Sequence, residues 1–185
     1  MRIGKQDRPY SAISTSTAET ITVRGKDLCG DVVGRMDFTS YFWLLVTGRE
    51  PDERQLFFAN AVLTAIAEHG LVPSVVAARM TYAAAPEAFQ GAVAAGLLGC
   101  GSVVLGSGEA CGRFLGGLVE SGGDPTEAVR TLRAEKKAVP GFGHPLHAGG
   151  DPRANLLLGL ADERGAAGAH VGLLRRVEAT PPKGP

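Results

Sequence analysis

Asp124-Pro125-Thr126-Glu127-Ala128-Val129-Arg130-Thr131-Leu132-Arg133-Ala134-Glu135-Lys136-Lys137 continues through Ala138-Val139-Pro140-Gly141-Phe142-Gly143-His144-Pro145-Leu146-His147-Ala148-Gly149-Gly150 into Asp151-Pro152-Arg153. The stretch holds one start signal twice. In each copy an aspartate stands where its side chain can accept from the free N–H groups of a first helical turn. A proline follows, at the position where a missing N–H removes no bond. Glu127, three residues after Asp124, completes the first copy. The spacing predicts a helix from Asp124 to near Lys137, stopped before Pro140, and a second from Asp151 through Arg164, closed by Gly165. Helix, glycine-framed loop, helix is the pattern of an all-α chain.

The same pattern extends in both directions. Upstream, residues 38–46 are apolar on nearly every side and predict a buried helix ended by Gly48. Asp52 and Gln55 form a capping box for a helix carrying Leu56, Ala59, Leu63, Ile66 and Ala67, expected to run to about Glu68 and to end at His69 before Gly70. Ser74 is expected to cap a helix with Val75, Val76, Ala78 and Arg79. Pro86 opens another with Phe89, Val93, Leu97 and Leu98. A break at Gly99, Gly101 and Gly106 precedes a helix over about residues 108–120, and a last helix covers residues 169–178. Residues 1–35 are turn-rich around the β-prone run Thr20-Ile21-Thr22-Val23-Arg24-Gly25, which reads as a strand-like arm docked on the helical body. The 26 glycines are about twice the usual ~7% share, which suits close helix packing and shaped loops.

Composition narrows the function classes. Lysine plus arginine equals aspartate plus glutamate at 19 each, so no net field draws in nucleic acid or an anionic membrane. Cys29, Cys100 and Cys111 are odd in number and lack Cys-x-x-Cys spacing, which predicts buried, reduced thiols in the cytoplasm. The first residues lack the apolar core of a signal peptide, and no apolar run spans a bilayer. A soluble protein of one domain, or one and an incomplete second, is expected.

The chemistry concentrates at His144 and Arg153, nine residues apart. A histidine can donate to a carbonyl oxygen as charge builds there, and a guanidinium can fork onto a carboxylate. The pair therefore suits a small keto acid. Two plainer readings stand beside this one: a satisfied loop histidine, and an arginine paired with a surface carboxylate. Gly141 and Gly143 bare the backbone beside the ring, and Pro140 and Pro145 stiffen the loop. His144, His147 and Asp151 also suggest three metal ligands. Pro145 prevents a regular helix from presenting both imidazoles on one face and no fourth ligand lies nearby, so no metal is expected. Ser102-Val103-Val104-Leu105-Gly106-Ser107-Gly108-Glu109 lacks the Gly-Lys-Ser/Thr of a phosphate loop and the spacing of a dinucleotide fingerprint, and reads as a helix-to-helix turn. His69, at a helix end, complements the helix dipole and says little alone.

Taken together these segments resemble the citrate synthase superfamily, including its short citryl-CoA lyase-like members, from about Ile21 to about Glu163. Val139-Pro140-Gly141-Phe142-Gly143-His144 with Asp151-Pro152-Arg153 is similar to the family's Gly-Phe/Tyr-Gly-His loop and Asp-Pro-Arg. The resemblance implies that His144 bonds the carbonyl of oxaloacetate and that Arg153 holds one of its carboxylates. Glu68-His69-Gly70-Leu71-Val72-Pro73-Ser74-Val75-Val76-Ala77-Ala78-Arg79 is similar to a further family stretch and implies that His69 contacts oxaloacetate. Ala94-Ala95-Gly96-Leu97-Leu98, leading to Gly101 and Glu109-Ala110, follows the frame of a third.

Two departures go with the likeness. Where the family has the histidine that steadies the enol of acetyl-CoA, this chain has Val104, which cannot donate; a donor near Ser102 or Ser107 is a substitute to test. The family's catalytic aspartate lies beyond the Asp-Pro-Arg helix, Asp162 falls too early to replace it, and the proline-rich end reads as an early stop. The implied fold is all-α, a multi-helix large domain with an incomplete small domain: an arm over residues 1–35, a helical body over 36–138, part of the small domain over 139–179, and a frayed tail over 180–185. The implied activity is an acyltransferase or lyase of the tricarboxylic acid cycle type. It makes citrate and CoA from acetyl-CoA, oxaloacetate and water, or cleaves citryl-CoA, with the thioester as substrate, no cofactor, and a homodimer as the assembly. The alternative is a catalytically impaired paralogue or fragment that binds a dicarboxylate or a full-length partner subunit.

Overall fold

The computed structural model describes residues 11–144, 147 and 149–180. The first ten residues of the arm, Pro145, Leu146, Ala148 and the tail over residues 181–185 lie outside the described residues. The chain divides into two compact units, Met1–Thr64 and Ala65–Pro185.

In the first unit the arm is a small antiparallel sheet in the order β1 (Ser14–Ser16), β2 (Ile21–Val23), β3 (Lys26–Asp27), with Ser14 opposite Val23 and Thr22 opposite Asp27. Arg24 and Gly25 turn β2 into β3 at φ 50° and 80°, two positive φ values in succession as a tight hairpin requires. Arg24 donates through Nε and a terminal nitrogen to the carbonyl of Leu45, at 3.0 and 2.6 Å, near the end of α1 (Phe38–Thr47) where helix carbonyls lack partners. Asp37 caps α1 by accepting from the N–H of Ser40, and Gly48 closes it at φ 80°. The expectation that α1 is buried all round is corrected: only Ser40 and Leu44 are buried, while Phe38, Phe42 and Val46 are exposed. Asp52 and Gln55 form the reciprocal capping box, at 3.0 and 2.7 Å, ahead of α2 (Glu53–Ile66).

The second unit is built from α3 (Pro73–Ala84), α4 (Phe89–Leu98), α5 (Ser107–Ser121), α6 (Pro125–Ala134), α7 (Pro152–Glu163) and α8 (Ala169–Glu178). α3 and α4 pack closely because α4 presents glycine to α3. A Cβ on Gly96 would stand 3.2 Å from that of Ala78, and one on Gly99 would stand 3.0 Å from Cα of Ser74. Ser74 is thus buried in this contact and does not cap. α3 begins one residue earlier, at Pro73, after Val72. α6 ends at Ala134, before the expected Lys137, because Lys136 takes φ 56° and Lys137 N–H bonds back to the carbonyl of Leu132.

Leu115 of α5, Val129 of α6 and Val177 of α8 form the core, with Cys111, Phe114, Leu173 and Leu174 around them. Each such aliphatic side chain contributes ~1.5–3 kcal/mol by leaving water. Val139 and Phe142 of the signature loop pack on the same core, which fixes where the loop leaves the helices. Arg175 of α8 grips Asp162 of α7 with two bonds, at 3.0 and 2.6 Å.

Candidate functional site

Gly141 sets the position of the loop. It takes φ +81°, and a Cβ there would fall 2.6 Å from both Cβ and Sγ of Cys111 on α5, so only glycine permits this approach. Phe142 is half-buried in the core while Gly143, at φ +93°, has open space where a Cβ would be. One side chain anchors the loop and the next residue leaves the backbone beside His144 bare.

His144 is half-buried. Its Nδ1 accepts from the backbone N–H of His147 at 3.3 Å, so the neutral ring carries its proton on Nε2. That is the state able to donate to a carbonyl. The ring of His147 lies against it, with centroids 4.6 Å apart and planes inclined by 31°.

Asp151 caps α7 by accepting from the backbone N–H of Arg153 at 2.9 Å. The Arg153 guanidinium folds back onto the same carboxylate, Nε to Oδ1 at 3.0 Å and a terminal nitrogen to Oδ2 at 2.6 Å. The guanidinium first, and then the backbone N–H, hold Asp151 well below the usual carboxylate range; Asp151 in turn raises Arg153. The remaining terminal nitrogen of Arg153 stands 3.4 Å from Nδ1 of His69. His69 lies in the link after α2, which stops at Ile66, so the expectation that His69 ends a helix is corrected.

Ligand atoms of His144, His147 and Asp151 all lie within 4.8 Å of one another. The three residues singled out in the sequence, His69, His144 and Arg153, are therefore gathered about the Arg153–Asp151 pair. The sequence alone gives Asp151 to helix capping or a metal, and its place as the hub is legible only where Arg153 turns back onto it. The spacing that argues against a three-donor cluster on one helix face does not keep these ligand atoms apart, and Gly143 and Gly150, on either side, take positive φ.

Val104 is half-buried, and its carbonyl accepts from the N–H of Gly101 at 3.0 Å. Ser102 and Ser107 are exposed. The cysteines depart from expectation: Cys29 is exposed, Cys100 and Cys111 are half-buried, and burial pushes the Cys111 thiol up. No described helix is long and apolar enough to cross a membrane.

Comparison with known proteins bears on the family and the fold. The family model of the citrate synthase C-terminal domain matches residues 8–183. The chain is 34% identical over 119 residues to the putative citrate synthase 2 of Mycobacterium tuberculosis (strain ATCC 25618 / H37Rv), covering 63% of this chain and 31% of that one. It is 31% identical over 138 residues to the citrate synthase of Synechocystis, covering 74% and 34%. The chain thus spans about a third of the length of these curated relatives. Among solved structures, citryl-CoA lyase from Hydrogenobacter thermophilus superposes with a TM-score of 0.82 at 30% identity, covering 91% of this chain and 65% of that one. ATP citrate lyase from Methanothrix soehngenii, solved with citrate and coenzyme A, shares the fold with a TM-score of 0.81 at 23% identity, covering 95% and 29%. A family model that matches nearly the whole described chain, on a mostly helical fold shared with citryl-CoA lyase, places this chain in the citrate synthase family.

Proposed function

We propose that this chain binds a four-carbon keto dicarboxylate of the oxaloacetate type and serves citrate synthase-type chemistry, joining it to acetyl-CoA or releasing it from citryl-CoA. The observation that carries this reading is the convergence of His144, with its Nε2–H, on the same carboxylate hub as Arg153, which also meets His69. His144 donates to the keto oxygen and draws electron density from the carbonyl carbon. Arg153 holds a carboxylate of the substrate in place of Asp151, one fork exchanged for another. His69, on the far side of the guanidinium, accepts from it and steadies its direction. The coenzyme A thioester is substrate here, and no cofactor enters. The assembly in this reading is a homodimer, supported by the exposed apolar faces of α3 and α4.

Val104 favours a second reading, in which the dicarboxylate is bound without turnover, alone or beside a full-length partner subunit. Forming the carbon–carbon bond needs a base for the thioester methyl and a donor for its enol, and valine cannot be that donor.

The test is CoA release from acetyl-CoA plus oxaloacetate by purified protein, with oxaloacetate binding measured by calorimetry. Binding with release supports the first reading, and binding without release the second. Absence of binding overturns both.

A further inference from the structure

We propose that His144, His147 and Asp151 form a site for a divalent transition-metal ion of the Zn2+ kind, and that the ion antagonises the keto acid at His144. The metal site stands on the donor geometry alone; the antagonism rests on the function proposed above.

Two imidazoles and a carboxylate whose ligand atoms lie within 4.8 Å of one another supply three ligands and leave a fourth position open. Nitrogen donors in the majority suit Zn2+, Ni2+ or Cu2+ and not Mg2+ or Ca2+. The imidazoles lie side by side, with centroids 4.6 Å apart and a tilt of 31°, so small ring rotations aim both lone pairs at one point. Metal–ligand bonds of ~2.0–2.1 Å place tetrahedral donors about 3.3 Å apart. The remaining approach falls to side-chain rotation, and nothing crowds Gly143 beside His144.

Asp151 is prepared for the role. Its Oδ1 already accepts from the backbone and Nε of Arg153, whereas Oδ2 accepts from one guanidinium nitrogen and keeps a lone pair. Arg153 thus orients a ligating carboxylate, as outer-shell partners of metals do, and its own charge keeps the affinity moderate.

Antagonism follows from how His144 is held. As a carbonyl donor its Nδ1 accepts from the N–H of His147. To ligate a metal it must give up that acceptor atom, or carry its proton on Nδ1 and offer Nε2 instead. Either way the bond that fixes the ring for donation is lost, and a cation stands where the keto oxygen would come.

The experiment is a calorimetric titration of the full chain, stripped with chelator, with Zn2+. One ion per chain is expected, with affinity falling tenfold or more in His147→Asn. His170→Asn, which removes the exposed histidine of α8, is expected to bind as the wild type does. Asp151→Asn is the second variant: asparagine also caps helices, so α7 is retained while the charge is lost, and weaker Zn2+ binding is again expected. Circular dichroism checks that each variant keeps its helices. Equal Zn2+ affinity in wild type and His147→Asn overturns the site. Oxaloacetate is then titrated into protein carrying one equivalent of Zn2+. A tenfold loss of affinity in the wild type, absent in His147→Asn, supports antagonism, and unchanged wild-type affinity overturns it. Oxaloacetate that fails to bind metal-free protein counts against the proposed function and leaves the metal site standing.

Discussion

Arg153 and His69, 84 positions apart in sequence, meet at 3.4 Å between a guanidinium nitrogen and Nδ1 of the imidazole. A guanidinium only donates, so His69 accepts there and its neutral ring keeps a proton on Nε2. Since the other two nitrogens of Arg153 are held by Asp151, the guanidinium is aimed before any ligand arrives. For Arg153→Ala the expected loss of keto dicarboxylate affinity is roughly ten- to hundredfold, the range for hydrogen bonds to charged groups. Arg153→Lys should not restore it, because an ammonium cannot fork. His69→Asn should lose less, since it acts partly through Arg153. Calorimetry with oxaloacetate decides, and equal affinity in wild type and Arg153→Ala removes the assigned role.

Gly141 joins conformation to packing at a single point. An alanine there has to hold φ +81°, which costs ~1–2 kcal/mol, and to push aside Cys111, whose Cβ and Sγ lie 2.6 Å from the new methyl. Overpacking of this kind adds ~1–3 kcal/mol. Gly141→Ala should therefore lower stability by about 2–5 kcal/mol, read as an earlier urea midpoint. It should also weaken oxaloacetate binding in the surviving folded protein, because Val139, Phe142 and His144 move with the loop. Gly143→Ala meets no neighbour and bears only the backbone term, so it should fall well short of that loss.

Local rules explain what was legible in the sequence. Asp124, Asp151 and the Asp52/Gln55 box reach only two or three residues along the chain, and each holds the bonds expected of it. Ser74 has the right chemistry for a cap, but Gly99 packs on it and Pro73 starts the helix first, which is tertiary information. Phe38, Phe42 and Val46 marked α1 as buried, yet apolar content says that a face seeks cover and not which surface covers it. His144 and Arg153 stood out because a bare-backbone loop next to a capped helix is a local pattern. Their common partner Asp151, and the ring of His147, come beside them next to glycines at 143 and 150 that take positive φ, which no local spacing rule announces.

Among the described residues, carboxylates are held below their usual range by named partners: Asp37 by the hydroxyl and N–H of Ser40, Asp151 by Arg153, and Asp162 by Arg175. A folded-state value below the unfolded ~3.9 contributes stability that is fully present above that pH and is lost as pH falls through the folded value. Asp37→Asn keeps a cap for α1 but does not titrate. The stability difference between wild type and Asp37→Asn should therefore stay level from pH 7 to about 4 and shrink below it. Urea midpoints at a series of pH values measure this, and a difference unchanged down to about pH 2 contradicts the cause assigned to Asp37.

On α3, Val76 and Met80 are exposed one turn apart, and on α4 Phe89, Val93 and Leu97 repeat every fourth residue and are exposed likewise. Residues four apart share a helix face, so each helix carries an apolar stripe facing water. Continuous apolar surface of this kind marks a protein–protein contact, and a stable one needs more than ~1,000 Å² in total. In the homodimer proposed above, these stripes are the surface that a second copy covers. Leu97→Glu places an uncompensated charge at such a contact, while the exposed end of α4 can carry glutamate without loss of helix. Sedimentation equilibrium should give a dimer for the wild type and a monomer for Leu97→Glu at the same concentration, with matching circular dichroism. A wild type that sediments as a monomer at every concentration leaves these stripes without the assigned partner.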